Sequence, residues 1–85
     1  MKELKVKAWV IDKAQLTATR YNCFIDYSRR NEADGRRVEE DGYTYVIADE
    51  IISETEKAMQ VKLRTGSVVG SYKGWKLWIP KSQIA

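Results

Sequence analysis

The sequence contains no histidine, one cysteine, one proline and one phenylalanine among its 85 residues. Without histidine, the chain has no imidazole metal ligand, no Ser–His or Cys–His nucleophile pair and no imidazole acid–base catalyst. The single Cys23 excludes an internal disulfide and any Cys-x-x-Cys motif, which is typical of a protein of the reducing cytoplasm. Because no motif for a metal or a cofactor is left, we expect a protein that needs neither and that is not an enzyme.

Long apolar runs are also missing. No stretch approaches the roughly 20 apolar residues of a membrane-spanning helix, and no apolar run follows Met1 and Lys2 as in a signal peptide. We therefore expect a cytoplasmic protein without a membrane partner, built as one domain over residues 1–85. The charge is mildly basic, with 15 basic against 12 acidic residues and a net charge of +3, which permits an anionic partner without requiring one.

The first half of the chain gives one clear and one ambiguous pattern. Residues 4–11 alternate between two faces and predict a first strand. A helix over 14–28 has apolar stripes on opposite sides, Ala14, Ala18, Tyr21 and Ile25 on one and Leu16, Cys23 and Tyr27 on the other. Since a surface helix has a single apolar stripe, and since 14–28 also alternates well as a strand, we predict a strand there and keep the helix as the alternative.

A strongly charged segment follows over residues 29–42. The turn dipeptides Asp34-Gly35 and Asp41-Gly42 predict a long loop or an extended hairpin tip. It carries two arginine pairs, Arg29, Arg30, Arg36 and Arg37. Paired guanidinium groups bind phosphate or carboxylate through two hydrogen bonds each, so these four arginines form a first candidate binding site. The alternative is a solvated loop, because acidic residues are interleaved with the arginines.

Residues 43–47 predict a strand, and 49–63 are again ambiguous. The apolar positions Ile51, Ile52, Ala58 and Met59 have helical spacing, and Asp49 is suited to cap a helix. The rival interpretation is a hairpin, with a turn over 54–56 and a return strand over 57–63. The periodicity alone slightly favours the helix.

The last strand lies over residues 74–84. Its alternation places Trp75, Leu77 and Ile79 on one face, which we predict to be core, and Lys76 and Trp78 on the other. Pro80 has no N–H for a sheet ladder, so regular pairing should end near it.

The outer face of this strand supplies a second candidate site, made of Trp78, Lys76, Lys81 and Tyr72, with Trp9 as a further aromatic. Aromatic rings between cations stack single-stranded bases in OB-like modules, and the same residue types anchor protein partners. A third interpretation buries the ring in a curled barrel or at a dimer interface. The sequence leaves these three open.

The second half of the chain resembles a known group of proteins. Glu56-Lys57-Ala58, an apolar strand, a glycine-containing turn and the tail Trp78-Ile79-Pro80-Lys81-Ser82-Gln83-Ile84 are similar to the closing half of many small, mostly uncharacterised phage and prophage proteins. The connection over 64–73 is longer than the tight turn usual there, and the N-terminal half has no such resemblance. The resemblance implies a β-hairpin over 49–63, a bacterial host cell and no catalytic residue.

These observations predict a mainly β fold, a small antiparallel curled sheet or open barrel, with or without one short helix. The expected function is that of a non-enzymatic phage or prophage accessory protein that acts by binding. It would inhibit or sequester a host immune protein or a nucleotide signal. The alternative is an OB-like single-stranded nucleic-acid-binding module of phage replication. We also expect a homo-oligomer, because the outer aromatic face is otherwise exposed.

Overall fold

The computed structural model describes residues 1–67 and 74–85. The elements are β1 (Lys2–Lys7), α1 (Ala8–Thr19), β2 (Cys23–Ile25), β3 (Glu39–Glu40), β4 (Tyr43–Glu54), β5 (Ala58–Leu63), β6 (Thr65–Ser67), β7 (Trp75–Pro80) and a 3-10 turn (Lys81–Gln83). The fold is therefore mainly β and antiparallel, as predicted.

The strands form a five-stranded sheet and a separate pair. The main sheet has the order β1-β4-β5-β7, with β3 also paired to β4, and β2 pairs with β6. The first half of the long strand β4 pairs with β1 and its second half with β5. The prediction of a curled sheet or barrel is wrong, because this sheet is open. Among the described residues, one bridge after β7, between Ile84 and Val6, connects the end of the chain to β1. The helix α1 packs against both β1 and β7.

The strand predicted over 4–11 is confirmed only as far as Lys7, where β1 ends and α1 begins. The strand predicted over 14–28 is wrong as far as Thr19, where the alternative of a helix is confirmed. Ala8, Ile11 and Ala18 are buried along one stripe of this helix, whereas Leu16 is 74% exposed. The second apolar stripe does not exist, because the helix ends at Thr19 and Cys23 already belongs to β2. Asn22 ends the turn after the helix in the left-handed region, with φ 56°.

The hairpin over 49–63 is confirmed. Strands β4 and β5 are joined at residues 55–57, where the Ala58 N–H donates to Thr55 Oγ1 at 3.0 Å. The helix-like spacing arises from two register shifts in β4, one between Ala48 and Glu50 and one between Ile51 and Ser53. A bulge turns successive side chains out of strict alternation, so both Ile51 and Ile52 are exposed.

The core lies between α1 and the sheet. Its fully buried members include Val6, Ile11, Val46, Val61, Leu63 and Ile79. Ile79 confirms the predicted inner face of β7, while Trp75 and Leu77 on the same face are only half-buried. This difference follows from the position of β7 at the edge of the sheet, where the inner face is covered incompletely.

Candidate functional site

An open groove of about 420 Å³ runs between α1 and β7. The helix contributes Trp9, Val10, Lys13, Ala14 and Thr17, which recur at the spacing of one helix face. The strand contributes Trp75, Leu77, Trp78 and Pro80. Because the lining includes residues from both faces of β7, the groove follows the outer edge of that strand. We call it the tryptophan groove, since all three tryptophans of the chain line it.

The tryptophan groove is aromatic and carries little charge. Trp9 is 56% exposed and Trp78 is 48% exposed, and the Trp75 ring lies 5.8 Å from the Tyr21 ring, centre to centre. Lys13 is the one charged side chain among the described residues that line it. Such a surface offers large apolar contacts with a few polar edges, which is the composition of protein-binding hot spots.

The edge of β7 also offers backbone groups. The Lys81 N–H donates to the Lys57 C=O at 2.8 Å, so Lys57 and Lys81 form a hydrogen-bonded pair. Along an antiparallel ladder, hydrogen-bonded pairs alternate with pairs that share no hydrogen bond. By the register of β5 and β7, the N–H and C=O groups of Lys76 and Trp78 therefore point away from β5. Within residues 1–67 and 74–85, no strand pairs with that edge.

The outer face of β5 and β7 confirms the predicted orientation of Lys76 and Trp78. Lys76 lies opposite Lys62, and Trp78 lies opposite Gln60. We call these four side chains the outer-face square. Lys81 is not part of it, because its Nζ is 2.8 Å from Glu54 Oε2. Tyr72, the remaining member of the predicted site, lies outside the described residues.

The four predicted arginines lie on a short hairpin over 29–38. The Asn31 N–H donates to the Arg36 C=O at 2.8 Å, and the Val38 N–H donates to the Arg29 C=O at 3.0 Å. The turns at Asp34-Gly35 and Asp41-Gly42 are confirmed, with positive φ at Gly35, Asp41 and Gly42. None of these arginines lines the described part of the tryptophan groove.

Two of the arginines are engaged by carboxylates. Arg29 donates two hydrogen bonds to Glu3, at 3.0 and 3.1 Å. Arg37 donates through both terminal nitrogens to Asp12 on α1 and also to the Tyr27 hydroxyl at 3.0 Å. The hydrogen bonds with Asp12 raise the pKa of Arg37 above its ordinary value, although partial burial acts in the opposite direction.

The other two arginines are less constrained. The guanidinium of Arg30 donates to the Gly35 C=O at 2.9 Å and lies over the Tyr27 ring. Arg36 is exposed, and its side chain makes no hydrogen bond to the described part of the chain. A binding role for the four arginines stays a prediction.

A lysine–tyrosine patch was missed by the sequence analysis. Lys5 and Lys7 on β1 face Tyr45 and Tyr43 on β4, and the Lys7 ammonium lies 4.3 Å from the centre of the Tyr43 ring. Arg29 lies 4.1 Å from the centre of the Tyr45 ring. The alternation of β1 shows the lysines on one face, but their aromatic partners follow only from the pairing of β1 with β4.

The hydrogen bonds from Arg29 and then Ser28 lower the pKa of Glu3 below its ordinary value. A carboxyl group with a lowered pKa in the folded state stabilises that state above its unfolded-state pKa, and this contribution is lost as the pH falls through the lowered value. As the pH falls below about 4.3, we expect the free energy of unfolding to decrease less in Glu3→Gln than in the wild type. Urea denaturation between pH 7 and pH 3 measures this.

The control for this prediction is Glu56→Gln. Glu56 is exposed on the β4–β5 turn and has no ion pair with a described residue. Glu3→Gln should still lose some stability at low pH, because the hydrogen bond with Lys81 also lowers the pKa of Glu54. Equal curves for Glu3→Gln and Glu56→Gln would contradict the assignment.

Other chemistry is limited in the described residues. They contain no cluster of three or more His, Cys, Asp or Glu side chains that is arranged to hold a metal ion. Cys23 is buried and is a free thiol. No helix in residues 1–67 or 74–85 has the length and apolar character needed to cross a membrane.

Comparison with known proteins adds no relative, because no protein-family model, curated protein or solved structure matches the chain significantly.

Proposed function

We propose that this protein is a non-enzymatic binding module whose tryptophan groove holds an extended apolar segment of a partner protein. The observation that carries this proposal is the convergence of three tryptophans on one open groove at an unpaired strand edge. An added segment would bond to the outward N–H and C=O groups of Lys76 and Trp78 and place alternate side chains in the groove. Backbone bonding would supply affinity, and the groove would supply selectivity.

A protein segment fits this groove better than a nucleic-acid strand does. A strand of nucleic acid needs cations along its phosphates, and Lys13 is the one cation among the described lining residues. The arginines predicted to supply more positive charge lie on the hairpin over 29–38, and two of them already bind carboxylates.

The resemblance of the tail to phage and prophage proteins supports a role as a phage accessory protein. Under this proposal the module inhibits or sequesters a host immune protein or a nucleotide signal in the host cytoplasm. Self-association is part of the proposal as well. It is supported by Leu16, Tyr21 and Phe24, three exposed large side chains outside the groove.

The test is a selection of peptides from a random library displayed on phage, followed by affinity measurements on variants. A buried tryptophan anchor contributes about 2 kcal/mol or more to binding, so Trp9→Ala should weaken the selected peptides roughly 30-fold or more. The matched control is Leu16→Ala, which removes an exposed apolar side chain from the same helix outside the groove. Sedimentation of each variant at the assay concentration reports its oligomeric state.

Two results would overturn the proposed site. In the first, the selected peptides bind Trp9→Ala as tightly as the wild type. In the second, Leu16→Ala weakens them as much as Trp9→Ala does, which would assign the binding to apolar surface in general. Circular dichroism spectra that match the wild type are required of both variants.

A further inference from the structure

The outer-face square brings two lysines together without a counter-charge. Lys62 and Lys76 are direct cross-strand partners, and by the alternation of hydrogen bonds they form a non-hydrogen-bonded pair. Side chains of such a pair start about 4.5–5.5 Å apart at Cβ, and like charges placed there repel. The fold therefore places the two lysine side chains next to each other on this face.

The chain does not neutralise these two lysines. No carboxylate oxygen of residues 1–67 or 74–85 lies within 4 Å of either ammonium, although Glu50 is the β4 partner of Lys62. The sequence over 68–73 contains no aspartate or glutamate that could serve instead. By contrast, Arg29, Arg37 and Lys81 each have a carboxylate partner. Both ammonium groups of this adjacent pair are therefore available to an anion from outside.

An aromatic surface adjoins the lysine pair. Trp78 is half exposed and lies two residues from Lys76 on the same face, a separation of about 6.6 Å along a strand. The methylene groups of Lys62 lie beside Gly74, where an added Cβ would come 2.6 Å from Lys62 Cε. The square therefore runs from the Trp78 ring to Lys76 and then to Lys62, and the Gln60 amide lies opposite the ring.

We propose that the outer-face square binds a nucleotide unit, with its base stacked on Trp78 and its phosphate held by Lys76 and Lys62. Every base has a face that stacks on an indole ring, and the ammonium groups attract the phosphate whatever the base is. The Gln60 amide both donates and accepts hydrogen bonds, so it is suited to the polar edge of a base. This site lies on the outer face and overlaps the groove at Trp78, and the backbone of Lys76 belongs to the edge with which the peptide would pair.

A structural explanation competes with this site. Lysines and prolines on an edge strand hinder pairing with other sheets, and Lys76 and Pro80 both lie on β7. That explanation accounts for Lys76 at the edge. It accounts neither for Lys62 on the interior strand β5 nor for the half-exposed Trp78 beside the pair.

Fluorescence anisotropy of the full chain with labelled oligothymidylate of twelve nucleotides tests the proposal, at NaCl concentrations from 50 to 200 mM. We expect Lys76→Gln to weaken binding at least five-fold and to lower the slope of log affinity against log salt by about one. Lys57→Gln is the control, because it removes the same charge from the exposed β4–β5 turn outside the square. We expect Trp78→Ala to weaken binding as well, with partial recovery in Trp78→Phe.

Competition with thymidine monophosphate separates the two sources of a nucleotide unit. Displacement of the label at low millimolar concentration assigns the site to free nucleotides, and no displacement assigns it to single strands; both support the site. Two results overturn the proposal. One is the absence of binding by oligothymidylate and by the mononucleotide at 50 mM NaCl, and the other is equal weakening by Lys57→Gln and Lys76→Gln. Neither result bears on the peptide selection, which depends on Trp9.

Discussion

An Ile79→Ala variant is expected to be largely unfolded in buffer at 25 °C. Ile79 is 0% exposed and lies where β7 meets the core. Truncating a fully buried isoleucine to alanine costs about 2–5 kcal/mol, because the lost apolar contacts leave a cavity that the structure refills only in part. A core of this size rarely supplies more than about 3–5 kcal/mol, so the loss is comparable with the whole stability.

Circular dichroism and urea denaturation check this prediction with Ile79→Val as the matched variant. Removing one methylene group should cost about 0.5–1.5 kcal/mol and leave a folded protein with a lower urea midpoint. A folded Ile79→Ala protein whose midpoint equals that of Ile79→Val would show that the site is not packed as described.

Arg37→Ala is expected to lower the free energy of unfolding by about 1–2 kcal/mol. Arg37 joins the hairpin over 29–38 to α1 through Asp12, and it also bonds to Tyr27. A hydrogen bond to a charged group contributes about 1.5–3 kcal/mol, but Asp12 is more than half exposed, which reduces its share through solvent screening. The neighbouring Arg36→Ala is the control, since the Arg36 side chain makes no hydrogen bond in the described chain.

Urea denaturation of the two arginine variants at low salt gives the difference directly. Both remove one positive charge from the same hairpin, so any effect of net charge cancels in the comparison. A double-mutant cycle with Asp12→Ala should give a coupling energy for Arg37 and none for Arg36. Equal losses of stability in Arg36→Ala and Arg37→Ala would contradict the network described above.

The C-terminal half was the more predictable part of the fold. The strand predicted over 74–84 is confirmed over Trp75–Pro80 and ends at Pro80, as its missing N–H predicted, but Lys81–Gln83 form a 3-10 turn instead. The Asp41-Gly42 turn marked the start of β4. For 49–63 the residue pattern alone favoured a helix, because the register shifts near Ala48 and Ile51 hide the alternation. The return strand alternates well, and the resemblance of the tail decided between the two in favour of the hairpin.

The start of helix α1 at Ala8 was missed for a local reason, although a helix over 14–28 was kept as an alternative. Lys7 precedes it without a side-chain cap, no acidic residue lies in its first turn, and its first N–H donates to the distant Gly42 C=O. The usual start signals are therefore absent from the sequence, and valine and isoleucine at its beginning favour a strand. Tertiary contacts with the sheet determine the helix instead.

The candidate sites were predictable only where one element carries them. Lys76 and Trp78 share a face of a single strand, so their common orientation could be inferred. Trp9 was named as a further aromatic of the second candidate site, but its position beside β7 follows only from the helix α1. Lys62 was missed, because the pairing of β5 with β7 is needed to place it opposite Lys76. Alternation within one strand does not contain that information.

The bridge between Val6 and Ile84 has a consequence for the order of folding. Its residues are 78 positions apart (84 − 6 = 78), whereas β4 and β5 meet across a turn of three residues. Closing a longer loop costs more conformational entropy, so the local hairpin has the smaller kinetic barrier. We therefore expect the Ala85 N–H, which donates to the Lys5 C=O at 2.8 Å, to join the sheet after the β4–β5 hairpin has formed.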